Sequence, residues 1–165
     1  MFVRKIAFAC IVVTGVACSS PPASSEAQCV GHTSSATSAA GSRAVSFERD
    51  VLPVFGQSCV FGACHGAKGG NDHGIYLGAK GSTDDAAEIR AALLERGPAR
   101  VPSMRFVKPN DPANSYLIRK LEGSFCDIPA CDDGACGDRM PRGGEPLDPA
   151  AREIVEAWIA QGAGP

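Results

Sequence analysis

From Ser46 onward, short stretches with apolar residues at helical spacing alternate with longer stretches rich in glycine and proline. Phe47, Val51, Leu52, Phe55 and Cys59 mark one apolar stripe and predict a first helix with Ser46 as N-cap. Pro53 removes a backbone donor inside it, so the helix is expected to be short or kinked. Ala86, Ile89, Ala92 and Leu93 predict a second helix. Ser82 or Thr83 would cap it, Asp84, Asp85 and Glu88 sit at its positive end, and Gly97-Pro98 ends it. Asp111-Pro112 opens a third, with Leu117, Ile118 and Leu121 on its apolar face and Gly123 closing it. Asp148-Pro149 opens the fourth, where Ala151, Ile154, Val155, Trp158 and Ile159 follow i, i+3, i+4, i+7 and i+8. Gly162 stops it. No stretch alternates as a strand would, so the expected fold is all-α: four helices joined by long Gly- and Pro-rich loops.

The N-terminus has a different pattern. Arg4 and Lys5 precede an apolar run, Ile6 to Ala17, that is too short to span a bilayer, and this reads as a secretion signal over residues 1–17. Cys18 follows the small residues Gly15-Val16-Ala17, the lipid-acceptor position of bacterial lipoproteins, which the segment resembles. Residues 18–45 are dominated by small and polar residues and read as a lipid-anchored or flexible tether. Residues 46–165 form the folded domain. Within the tether, His32 is expected to be solvated and Cys29 to pin the tether back onto the domain. The protein is thus expected to be exported, in the periplasm or anchored to the outer membrane of a bacterium.

Composition narrows the partners. There are 16 basic against 18 acidic residues and no basic run, so nothing points to nucleic acid. In an oxidising compartment the eight cysteines matter more. Cys10 leaves with the signal and Cys18 takes the lipid, which leaves Cys29, Cys59, Cys64, Cys126, Cys131 and Cys136 for covalent use. Cys59 and Cys64 end in Cys64-His65, and a cysteine pair closed by Cys-His is how a chain takes haem covalently. Four residues separate this pair where the usual number is two. The competing reading is a Cys59–Cys64 disulfide with His65 as an ordinary surface residue.

From Ser46 to Gly164 the chain resembles a single-haem c-type cytochrome of the planctomycete-type branch. The resemblance rests on Phe47-Glu48-Arg49-Asp50-Val51-Leu52-Pro53-Val54-Phe55 and on Pro109-Asn110-Asp111-Pro112-Ala113-Asn114-Ser115-Tyr116-Leu117. Met140-Pro141 and Trp158-Ile159-Ala160-Gln161-Gly162-Ala163 complete it, in the family's order. It implies one covalent haem c, with Cys59 and Cys64 as thioether residues, His65 as the proximal iron ligand and Met140 as the sixth. Met104 and His73 are the alternatives for that sixth position. His and Met together raise the iron potential and fill both axial sites, which implies an electron carrier and not an enzyme. Nothing in the sequence offers the acid–base pair a haem peroxidase needs.

Redox proteins would be the partners, and the lipid anchor would hold the chain at a membrane. Cys29, Cys126, Cys131 and Cys136 remain for two disulfides, with three possible connectivities. A metal knuckle at Cys126, Cys131 and Cys136 is disfavoured by export. The acids Asp127, Asp132, Asp133 and Asp138 fit no standard calcium loop and read as a solvated acidic loop. The alternative to a cytochrome is a haem-free binding or structural lipoprotein of the same fold, stapled by disulfides.

Overall fold

Ser46 opens the first helix as an N-cap, extended at φ −95° and ψ 138°. Its hydroxyl accepts the Arg49 N–H at 3.4 Å, and its own N–H is donated to Asp50 Oδ2 at 2.8 Å. The computed structural model describes residues 32, 43–69, 74–125 and 127–165, with the side chains of 132 and 133 left out. The kink expected at Pro53 takes the form of a π turn, Phe47–Val51, that runs into α1, Leu52–Ser58. A proline ring crowds the carbonyl four residues before it and lacks the N–H that would bond it, and a widened turn relieves both problems.

α2 runs Ala86–Glu95 and buries Ile89 and Leu93 as the pattern predicts. It starts later than either expected cap. Ser82 Oγ instead accepts the Asp84 N–H (3.1 Å), and the Thr83 carbonyl accepts the Ala86 N–H (3.0 Å), so both residues belong to a preceding turn. Asp85 stands at the N-cap without a side-chain cap bond. Its carboxylate is engaged by Lys68 Nζ at 2.9 Å and by the Tyr76 hydroxyl at 2.8 Å. Past the helix end, Gly97 is not a left-handed C-cap: a Cβ there would lie 2.1 Å from the Met104 carbonyl oxygen. Glycine is needed for that close approach, not for a positive φ.

The third helix is interrupted. Asp111 caps only a short turn, Pro112–Asn114, by accepting the Asn114 N–H at 3.2 Å. Ser115 then drops into an extended conformation, and α3 begins afresh at Tyr116–Glu122. Ser115 is fully buried, and its hydroxyl donates to the Asp111 carbonyl (2.9 Å) while accepting the Lys108 N–H (2.8 Å). Tyr116 and Leu117 donate to the carbonyls of Arg105 and Phe106 (3.0 and 2.9 Å). The extended segment before the helix therefore claims these amides, and an isolated bridge between Arg105 and Ser115 is the nearest thing to a strand among the described residues. Gly123 ends α3 at φ 77°, as expected.

α4, Pro149–Ala160, is capped by Asp148 Oδ1, which accepts the Ala150 and Ala151 N–H groups at 2.9 and 3.3 Å. Val155, Trp158 and Ile159 are fully buried, while Ala151 and Ile154 lie at the core's edge. The Trp158 ring packs on Phe47 with centroids 5.0 Å apart, and Phe47 meets Phe55 edge-on at 6.1 Å. This aromatic cluster ties α1 to α4, the first and last helices. The described part is thus four α-helices without a named strand. None of these helices is long and apolar enough to cross a membrane.

One polar cluster departs from expectation. The His32 side chain is 6 % exposed rather than solvated, with Nδ1 2.9 Å from Glu122 Oε2. Glu122 also accepts the Ser124 hydroxyl at 2.9 Å. A buried carboxylate requires such partners, and His32 supplies one across 90 residues of sequence. Nearby, Glu156 is 2 % exposed and lies 3.4 Å from Arg152 Nε. Burial pushes the Glu156 carboxyl above its ordinary value, Glu122 and Glu153 push the same way, and Arg152 and His32 pull it down. A raised carboxyl favours folding while it is protonated, and that contribution fades as pH rises through the raised value. Glu156→Gln should therefore gain on the parent chain as pH rises from 4 toward neutrality. Thermal melts at a series of pH values check this, and a pH-independent difference would refute it.

Candidate functional site

The chain leaves α1 at Cys59 and turns back on itself. The Cys64 N–H is donated to the Phe61 carbonyl at 2.8 Å, and the His65 N–H to the Cys59 carbonyl at 3.1 Å. The four residues between the cysteines thus form a closed turn that returns His65 beside Cys59. Gly66 makes the return possible, because a Cβ there would sit 2.2 Å from the Val60 carbonyl oxygen. His65 is then held from both ends: its carbonyl accepts the Leu77 N–H (2.9 Å), and Nδ1 lies 2.9 Å from the Ile75 carbonyl oxygen. A carbonyl can only accept, so Nδ1 carries the proton of this hydrogen bond. That is the tautomer a metal-ligating imidazole needs, with its second nitrogen fixed by a backbone partner.

Cys59, His65 and Met140 all line one cavity of about 640 Å³. This lies within the range of roughly 300–1,000 Å³ typical of cofactor and ligand sites. Much of its wall is apolar, including Leu77, Leu93, Phe106, Leu117 and Leu121. Cys64 and Met104 are not among the described lining residues. His73 lies outside the described residues, as do Cys10, Cys18, Cys29 and Cys126.

The two classes of cysteine differ. Cys131 and Cys136 are bonded to one another, with Cα atoms 4.8 Å apart. Cys59 and Cys64 are free thiols. Burial pushes the Cys59 thiol up to about 12, and Cys64 beside it pushes the same way. The thiol is therefore protonated at physiological pH in the chain as it stands. No group of three or more His, Cys, Asp or Glu side chains suited to a metal occurs among the described residues. The acidic loop is more structured than expected: Asp127 makes a two-pronged bond to the buried Arg119 (3.0 and 2.8 Å). Asp138 pairs with Arg142 at 2.8 Å.

Sequence reasoning missed the cationic part of the wall. Arg96, Arg100 and Lys120 line the cavity, and no carboxylate does among the described residues. Lys120 had a signal that could have found it, because it follows Leu117 by three positions and so shares its helix face. Its ammonium reaches the Cys136 carbonyl at 2.8 Å and also the Asp138 carbonyl. It lies 4.7 Å from the Phe125 ring centroid. Burial lowers the Lys120 pKa, with the Asp138 charge acting against that shift. The Met140 N–H is donated to the Lys120 carbonyl at 2.7 Å.

The wall can thus offer an imidazole nitrogen, a thioether sulfur, a thiol and cations inside an apolar enclosure. Comparison with protein-family models, with curated proteins and with solved structures finds no match for this chain.

Proposed function

We propose that the chain is an exported, lipid-anchored c-type cytochrome that carries one covalent haem and passes electrons between redox proteins. The observation that carries this reading is the shared wall: His65, Met140 and Cys59, singled out by sequence, line a single apolar cavity of cofactor size. Two further features support it. The Ile75 carbonyl holds His65 through Nδ1, so Nε2 would be the nitrogen to ligate iron, and Cys59 and Cys64 remain thiols while Cys131 and Cys136 pair.

Three of the four residues expected to hold the group, Cys59, His65 and Met140, line the cavity, and Cys64 follows in the same turn as Cys59. Cys59 and Cys64 would hold haem through thioethers; His65, aimed by the Ile75 carbonyl, would be its proximal ligand and Met140 its sixth. Bound haem supplies a one-electron iron couple. The leucines and Phe106 would place apolar surface around that centre, and Arg96 and Arg100 bring positive charge to its wall. If His65 and Met140 both ligate the iron, they would leave it no place for a substrate, which favours electron transfer over catalysis.

Expression in a host that matures c-type cytochromes tests this reading. The denatured, purified chain should stain for haem, and its intact mass should exceed the polypeptide by one haem. A colourless protein with a Cys59–Cys64 disulfide would instead establish a haem-free, disulfide-stapled lipoprotein.

A further inference from the structure

We propose that Lys120 is the positioning residue for Met140, one side chain on α3 that clips the methionine-bearing loop to the cavity wall. The proposal rests on the cytochrome reading for its functional meaning, but the clip itself is defined by geometry alone. Three hydrogen bonds join Cys136–Met140 to α3 among the described residues, and all three belong to Lys120. Its carbonyl accepts the Met140 N–H at 2.7 Å. Its ammonium donates to the Cys136 carbonyl at 2.8 Å and to the Asp138 carbonyl. The loop is therefore gripped at its first, third and fifth residues by one side chain and its own backbone.

The other ties are weaker or farther from the methionine. The Cys131–Cys136 bond fixes the loop's upstream end, and the Arg139 stem packs over Gly123 at the end of α3. The Arg142–Asp138 pair is formed by side chains 73 % and 62 % exposed, a setting in which ion pairs contribute little. Both ammonium bonds are charge-assisted; the one to the Cys136 carbonyl is part-buried and the one to the Asp138 carbonyl exposed, which makes the first the stronger contact of the loop. Lys120, Cys136 and Met140 also line the cavity together, so movement of the clip moves the sulfur at the site. The ammonium adds a second effect. A fixed positive charge beside an iron centre favours its reduced, less positive form.

Lys120→Met keeps the length of the stem and removes both ammonium bonds, and Lys120→Arg keeps a charged donor. In the holoprotein, Lys120→Met should retain covalent haem yet lose more than half of the sulfur–iron charge-transfer absorption of the oxidised state, with a lower reduction potential. Amide hydrogen exchange at 137–140 should quicken at least tenfold, and Lys120→Arg should restore most of each property. If Lys120→Met fails to fold, Lys120→Gln, which retains one amide donor, is set against Lys120→Arg in the same measurements. Absorption and exchange within twofold of the parent in the non-arginine variants would overturn the proposal. Should the parent chain carry no haem, the cytochrome reading fails, and the exchange measurement alone decides whether Lys120 is the clip.

Discussion

Met140→Ala should abolish the sulfur–iron charge-transfer absorption of the oxidised holoprotein and lower its reduction potential, while Met104→Ala leaves both in place. The contrast follows from where the two sulfurs lie. Met140 lines the cavity with His65, whereas Met104 is not among the described lining residues and its carbonyl crowds Gly97. Both methionines sit in loops near a proline, Met140 directly before Pro141 and Met104 two residues after Pro102, so little in the local sequence separates them by chemistry. Thioether sulfur stabilises reduced iron, and its loss admits water or a harder ligand that favours the oxidised state. The expected fall is on the order of 0.1–0.3 V, a fraction of the roughly 0.8 V range that axial ligation spans. Spectroelectrochemical titration of the two variants measures it. If Met104→Ala removes the absorption and Met140→Ala spares it, the ligand assignment is wrong.

Trp158→Ala should be the most damaging single change to the fold. The ring is fully buried against Phe47, and its Nε1–H is donated to the Gly164 carbonyl at 2.7 Å. Truncating a buried tryptophan costs about 3–5 kcal/mol. A domain of this size has a total stability of roughly 5–15 kcal/mol, so the variant should be marginal at best. Trp158→Phe separates the two contributions: most of the ring packing survives, and the lost hydrogen bond costs about 1 kcal/mol. Thermal melts followed by circular dichroism suit the comparison, because Trp158 is the chain's one tryptophan and its fluorescence disappears with it. A Trp158→Ala midpoint within a few degrees of the parent would show that the first and last helices are held together by something other than this cluster.

Helix positions were legible wherever a local signal decided them. The apolar stripe of α4 and its Asp148 cap are both present, and so is the left-handed Gly123 that ends α3. Each depends on residues within about one helical turn, which is the range over which caps and periodicity act. Boundaries failed where a distant group competed for the same atoms. Lys68 and Tyr76 occupy the Asp85 carboxylate, and α2 starts without a side-chain cap. Arg105 and Phe106 take the amides of Tyr116 and Leu117, and the third helix breaks at Ser115. His32 read as solvated because its partner, Glu122, lies 90 residues away.

The candidate site divides along the same line. Sequence alone determined an all-α domain and its residue chemistry: a thiol pair closed by His65, and a methionine before the last helix. Those features are matters of residue type and order, which a chain carries before it folds. Only the tertiary structure decided that Cys59, His65 and Met140 share one cavity while Met104 does not line it. It also decided that Cys131 bonds to Cys136 and that Lys120 grips the Met140 loop. Those are distances between segments far apart in sequence, set by how the buried faces of four helices pack, and no local pattern encodes them.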